Sequence, residues 1–316
     1  QVDLFPGILG PHRLARPGRG TGRLSSLVAR LALLLLLGCA AGPLAAVPAW
    51  RVTAPGAPGE VLLLGSVHLL RPSDQPLPAR IEQSYARAAR MLMELHPREL
   101  APAAVQAALA EIGIDAPGRT ARELLGDAAW AEAAEQARAA GFPAEALAGL
   151  EPWFGAISLY TGALGAAGYD PALGVDQQLG ERALRDGLPV AGLETLDEQL
   201  RLFKDLDAPT QVALLSKTLE ELDTAGADTA RLVGEWRAGD VAALARLLEE
   251  DFAGYPELRE QIVAGRNRRW TPEVASLLDE DGVSLVVVGA LHLVGPEGLP
   301  ELLRQRGLVV ESLQAP

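Results

Sequence analysis

Four ionisable residues stand at the ends of four apolar runs: His68, Glu94, Glu194 and His292. The two histidines share one local context. Val61-Leu-Leu-Leu-Gly65 leads through Ser66 and Val67 to His68, and Ser284-Leu-Val-Val-Val-Gly289 leads through Ala290 and Leu291 to His292. The chain has only four histidines, so finding two of them in a repeated Gly-x-x-His segment is a signal. Two imidazoles and a carboxylate, with one position left for water, are the makings of a catalytic metal site. A metal there would lower the pKa of bound water and polarise a carbonyl. A second carboxylate would serve as general base. The set reads as His68, His292 and Glu94 around zinc, manganese or cobalt, with Glu194 as the further carboxylate.

Each residue also has a structural alternative. Either histidine alone reads as a hydrogen-bonded core residue; only the shared context lifts the pair above that. Glu94 interrupts Met91-Leu-Met-Glu-Leu95, where an ionised carboxylate is costly unless it is paired or binds a metal. Its other reading is a buried structural acceptor. Glu194 can equally open the following helix, since acids favour helix N-termini. Asp176, after Gly174-Val175, reads most simply as an N-cap. On pattern alone Arg266, Asn267, Arg268 and Arg269 read as a solvated helix face. Glu151-Pro-Trp-Phe154 reads as packing, and His96 before Pro97 as a loop residue.

The elements that must position these groups follow from periodicity. Val61–Leu64, Met91–Leu95, Pro189–Leu193 and Ser284–Val288 are short apolar runs, the last bounded by glycine, and read as buried strands. Gly289 is expected to let the backbone turn sharply before His292. Pro78–Arg90 carries Ile81, Tyr85 and Ala88 on one face and reads as an amphipathic helix. Strand, helix and strand from Val61 to Leu95 predict a right-handed crossover between parallel neighbours. Residues 101–187 and Ala208–Asp281 read as mostly helical, with Thr195-Leu-Asp-Glu198 as a capping box and Asp240 as an N-cap. A helix over Pro300–Arg306 and an edge strand over Leu308–Leu313 close the chain. The expected fold is α/β, a central mixed and largely parallel sheet flanked by many helices. Ligands in such sheets bind beyond the carboxyl ends of the strands, where the four ionisable residues lie.

The chain has 316 residues, 49% of them hydrophobic, enough for a substantial core. Its formal net charge of −13 excludes nucleic acid as a natural partner, because cationic contacts dominate that affinity. The first residues run the other way: Arg13, Arg16, Arg19, Arg23 and Arg30 precede Leu31-Ala-Leu-Leu-Leu-Leu-Leu37 and Gly38-Cys39-Ala40. A basic segment, a short apolar core and small residues form a secretory signal, and the apolar run is too short to span a bilayer. Leu36-Leu37-Gly38-Cys39 resembles a bacterial lipobox, whose cysteine is lipidated. The expected organisation is a signal over 1–38, a tether over 39–60 with a short strand near Trp50–Thr53, and one α/β domain over 61–316. The expected location is the bacterial cell envelope, with Cys39 as the membrane anchor. Because Cys39 is the only cysteine, no intrachain disulfide can form.

With these motifs in place, the chain resembles the TraB/GumN family, which includes the Tiki proteins. The resemblance is carried by Gly65-Ser-Val-His68, the Glu94 strand, Glu151-Pro-Trp153, Gly174-Val-Asp176, Gly192-Leu-Glu-Thr195, Arg266-Asn267 with Trp270, and Gly289-Ala-Leu-His292. It implies a fold like that of erythromycin esterases and the haem-binding lipoprotein ChaN. Its Tiki branch implies a metal-dependent protease, with His68, His292 and Glu94 at the site and Arg266 and Asn267 in support. Two readings of the function stay open on the sequence. One is a metal-dependent hydrolase of the cell envelope acting on a peptide or small-molecule substrate. The other is a non-catalytic lipoprotein that sequesters a peptide, haem or signal molecule.

Overall fold

The computed structural model describes residues 47–101, 105, 107–108 and 118–313. The expected signal and Cys39 lie outside these residues. Among the described residues no helix is long and apolar enough to cross a membrane.

One six-stranded sheet organises the body, in the order β4-β3-β5-β2-β1-β6. The strands are β1 (Ala49–Thr53), β2 (Gly59–Ser66), β3 (Arg90–Leu95), β4 (Val190–Glu194), β5 (Gly282–Gly289) and β6 (Val309–Ser312). β2, β5, β3 and β4 run parallel, and β1 pairs antiparallel with both β2 and β6. The strand expected near Trp50 is therefore part of the sheet, and the folded body starts upstream of Val61.

The expected crossover is only half right. β2, helix α1 (Ala79–Arg87) and β3 form a strand-helix-strand unit with parallel strands, but β5 lies between the two strands. The reason is burial. Leu285, Val286, Val287 and Val288 are all 0% exposed, and a strand that is apolar on both sides belongs in the middle of a covered sheet. Alternation along the strands feeds two cores. Leu62, Leu64, Met91, Met93, Leu285 and Val287 pack with Ile81, Leu179, Trp236 and Leu244 on one face. Val61, Leu63, Leu92, Val286 and Val288 pack with Trp270, Val274 and Leu303 on the other.

The helices of the first face include α5 (Val175–Asp186), α8 (Ala225–Ala238) and α9 (Val241–Asp251); the same stretch of chain also forms α2 (Ala121–Ala139, broken at Gly126), α3 (Ala144–Ala148), α4 (Pro152–Ala166), α6 (Leu196–Lys204) and α7 (Ala208–Glu221). The capping boxes at Thr195 and Thr120 and the N-cap at Asp240 start their helices by satisfying free N–H groups. The second face is covered by α11 (Gly265–Ser276) and α12 (Leu299–Gln305), after the short α10 (Pro256–Arg259). One helical turn, Glu260–Ala264, is π-helical and leads directly into α11. Such turns shift the face that the next helix presents. On α8, the buried Trp236 donates its indole N–H to the Gly65 carbonyl at 2.8 Å, which fixes the end of β2 just before His68.

Candidate functional site

The carboxyl ends of β2, β5, β3 and β4 lie side by side, about 4.8 Å apart, so residues leaving them converge. His68 follows β2, Glu94 is the penultimate residue of β3, Glu194 ends β4, and His292 sits in the short helical turn after β5. The chain places all four in one cluster. Gly289 marks its centre. A Cβ built there would lie 3.2 Å from Glu94 Oε1, 3.4 Å from His68 Nε2 and 3.6 Å from His292 Cδ2. Gly289 has φ −50° and ψ 135°, a conformation open to any residue. Its hydrogen is needed for this close approach, and the sharp turn expected of it is not the reason.

Arg266, on α11, binds the cluster together. Its Nη2 donates to Glu94 Oε2 at 2.6 Å and also to Glu194 Oε1, its Nε donates to Glu194 Oε2 at 3.2 Å, and its Nη1 meets His292 Nε2 at 3.1 Å. Its guanidinium stacks over Trp270, with Cζ 4.4 Å from the ring centre. The side chains of Arg266, Glu94 and Glu194 are 5%, 8% and 6% exposed. The reading of Arg266 and Asn267 as a solvated face is thus corrected. Both are buried, while Arg268 and Arg269 on the same helix are exposed.

Asn267 fixes the tautomer of His292. Its Nδ2 donates to the carbonyls of His292 and Glu297 at 3.1 and 2.8 Å, which turns its Oδ1 toward His292 Nδ1 at 2.7 Å. An amide oxygen can only accept, so the proton sits on Nδ1 and the lone pair on Nε2. His68 is oriented in the same way by a carboxylate. Asp176 Oδ2 lies 2.8 Å from His68 Nδ1, and its Oδ1 accepts from Ser66 Oγ at 2.5 Å. Asp176 is therefore not the N-cap of α5, whose cap residue is Gly174. The close packing of Gly174 on the His68 carbonyl brings the first turn of α5, with Asp176, against the loop after β2.

The charges follow from these contacts. Attraction to Asp176 raises the His68 pKa to about 9, against the opposing effect of burial. The His68 side chain as a whole remains 59% exposed. His292 goes the other way. Burial lowers it to about 4, so it is neutral at pH 7. Burial would raise Glu94, but His292, Arg266 and His68 and the Gly289 N–H outweigh it and hold the pKa at about 2. With His292 neutral at pH 7, Arg266 is the fixed partner of ionised Glu94. Burial raises Glu194 despite Arg266.

Because the folded pKa of His68 lies above its unfolded value, the stability it contributes is present below about pH 6.5 and lost as pH rises through about 9. Asp176→Asn removes the charge that raises it. We expect the His68 ring titration, followed by NMR, to fall from about 9 toward 6.5; an unchanged midpoint would exclude Asp176 as the cause.

Gln199 was not singled out by sequence. Its Nε2 donates to Glu94 Oε2 at 3.3 Å and to Glu194 Oε1 at 3.1 Å. It follows the Thr195 capping box by four residues, but nothing in its local sequence marks it. The remaining candidates lie elsewhere. Glu151 is buried and paired with Arg119, whose Nη2 also donates to the Lys204 carbonyl, so it pins loops together away from the cluster. His96 Nδ1 accepts from the Arg98 N–H in the turn after β3. An open groove of ≈ 470 Å³ lined by Glu257, Glu260, Gln261 and Arg269, among others, shares no residue with the cluster.

The residues fit a divalent cation in the chemistry of the donor set. Both histidines have Nδ1 engaged by an oriented acceptor, the arrangement that turns Nε2 toward a metal. His68, ionised Glu94 and His292 also face one point at Gly289. Yet among the described residues no three His, Cys, Asp or Glu side chains stand in ligand geometry. His292 Nε2 and Glu94 Oε2 are both engaged by Arg266.

Fold and cluster together define an α/β protein with a charged, largely buried polar centre at the carboxyl edge of a mostly parallel sheet. A profile of the TraB/PrgY/gumN family matches residues 48–312, and the chain belongs to that family. It is also similar to a protein of Treponema pallidum (strain Nichols) described as uncharacterized, 27% identical over 176 residues, covering 52% of each chain. The chain thus spans about half the length of the curated relative it matches. No solved structure matches the chain.

Proposed function

We propose that this chain is a metal-dependent hydrolase acting on peptide bonds. The observation that supports it most is the approach of His68 Nε2, Glu94 Oε1 and the His292 ring to within 3.6 Å of one point beside Gly289. His68, His292 and Glu94 would hold a divalent transition ion, with zinc, manganese and cobalt suited to two imidazoles. Bound there, the ion would supply a Lewis acid and a more acidic water. The chain's own groups do the rest. Asp176 and Asn267 hold the Nδ1 side of each ring, so both Nε2 atoms face the centre; His292 presents a lone pair there, and His68, protonated at pH 7, would have to release its Nε2 proton to a bound ion. Glu94 stays ionised. Glu194, raised by burial, is the carboxylate suited to take up a proton. Arg266 offers a fixed positive charge to a developing oxyanion or to a substrate carboxylate.

The test is metal content and hydrolysis of a peptide library, with and without chelator, in wild type, His68→Ala and His292→Ala. Each variant should lose bound metal and turnover while still unfolding in one cooperative step, since the strands do not depend on the imidazoles. Unchanged metal content in both variants would remove the ligand assignment. The second reading, a non-catalytic lipoprotein that sequesters a peptide, haem or signal molecule, draws support from the full engagement of Arg266 by Glu94, Glu194 and His292. It predicts tight binding of peptide or haem with no turnover.

The proposed place of action is the cell envelope, with the chain exported and lipid-anchored at Cys39. Cys39→Ser should move the protein out of the membrane fraction. Unaltered fractionation would rule out the anchor.

A further inference from the structure

Arg266 holds the one His292 atom that a cation bound there would need, and one of the two Glu94 oxygens. The His292 Nδ1 proton is committed to Asn267, so the ring has one lone pair left, on Nε2, and Arg266 Nη1 sits on it at 3.1 Å. A guanidinium can only donate, so this contact uses the same lone pair that a metal would coordinate. Glu94 is divided likewise. Its Oε1 takes the Gly289 N–H at 2.7 Å, and its Oε2 takes Arg266 Nη2 at 2.6 Å. The two uses of His292 exclude each other.

We infer that Arg266 is a built-in competitor for the metal position. Its guanidinium and a divalent ion alternate on His292 Nε2 and Glu94. This rests on the metal reading of the preceding section and adds a determinant of affinity to it.

The surroundings give the guanidinium somewhere to go. Arg266 Nε and Nη2 are both held by Glu194, which is not among the proposed ligands. Nη1 has a second acceptor, the Ile262 carbonyl at 3.2 Å, within the π-helical turn before α11. The Trp270 ring lies under the guanidinium, with its centre 4.4 Å from Cζ, and is a neutral surface that keeps contact with the group without fixing it through a hydrogen bond. The group can therefore release His292 and Glu94 while keeping Glu194 and Ile262. Charge allows the exchange once His68 gives up its proton, because one guanidinium then stands between two buried carboxylates and a further cation meets opposite charge. Selectivity follows as well. An ion must take an imidazole lone pair from a cation to enter, which zinc and cobalt do and the oxygen-seeking magnesium and calcium do poorly.

The test is the affinity of the purified chain for Zn²⁺ and Co²⁺, measured by competition with a chromophoric chelator, in wild type and Arg266→Gln. The inference expects at least tenfold tighter binding in the variant, and a larger rise in melting temperature on adding the ion. Equal or weaker binding overturns it. Should Arg266→Gln fail to fold, the comparison is Glu194→Gln against Glu194→Gln with Arg266→Gln, which removes one of the carboxylates left without a partner. The same tenfold gain is expected there, and its absence overturns the inference. Binding to the variant alone supports competition by Arg266 and shows that it prevails in wild type. No binding to any form overturns both this inference and the metal reading, whereas binding to wild type with no gain in the variants overturns this inference alone.

Discussion

Arg266→Leu should cost the fold about 3–5 kcal/mol, the usual penalty for removing one partner of a buried ion pair. The loss comes from what remains. Glu94 and Glu194 would face each other across a site where their side chains are 8% and 6% exposed, with no cation between them. Gln199 would still donate to both, but a neutral amide cannot replace the charge. A domain with a typical total of about 5–15 kcal/mol would be left near its threshold. The measurement is denaturant unfolding at pH 7. The control is Arg266→Leu combined with Glu94→Gln and Glu194→Gln, which should recover most of the loss because neutral side chains need no counter-ion. A loss below about 1 kcal/mol for the single variant would mean that the guanidinium is not what holds the two carboxylates together.

The second large effect is functional. Gly289→Ala places one methyl group at the point where His68, Glu94 and His292 meet, 3.2 Å from Glu94 Oε1 and 3.4 Å from His68 Nε2. The backbone there accepts alanine without strain, with φ −50°. The methyl group should therefore cost little stability, about 1 kcal/mol, while filling the point that all three groups face. Turnover should fall by about 100-fold or more, as expected when reacting groups are displaced by an ångström. Metal binding should weaken in parallel. A variant that melts like wild type and keeps full activity would mean that the chemistry lies elsewhere on the sheet edge. Comparing the two substitutions separates what keeps the cluster folded from what keeps it open.

Much of this was legible in the chain. The two Gly-x-x-His segments and the apolar runs place His68 and His292 at the ends of parallel strands, because apolar composition and glycine boundaries are local properties. The insertion of β5 between β2 and β3 was not legible. Strand order depends on which apolar surface is best covered, and no local pattern records it. Asp176 was misread for a related reason. An acid two residues after a helix-starting glycine reads as a cap, and only the packing of Gly174 on the His68 carbonyl shows that it faces an imidazole. Arg266 and Asn267 are polar residues on a helix otherwise marked by exposed Arg268 and Arg269, so a pattern of polarity cannot show which of them are buried. Gln199 carries no signal at all, since its two partners come from different strands.

The central place of β5 has a consequence for synthesis on the ribosome. β2 and β3 emerge early, yet neither pairs with the other; each pairs with β5, along Gly59–Ser66 and Arg90–Met93. Until Gly282–Gly289 is made, two apolar strands have edges waiting for a partner that does not yet exist. Pairings so distant in sequence form slowly, and unpaired apolar edges are prone to aggregate in the meantime. A nascent chain of this kind should depend on factors that shield those edges. It should also be without its charged centre until this segment is made, because Gly289 at the end of β5 and His292 in the turn after it complete the cluster.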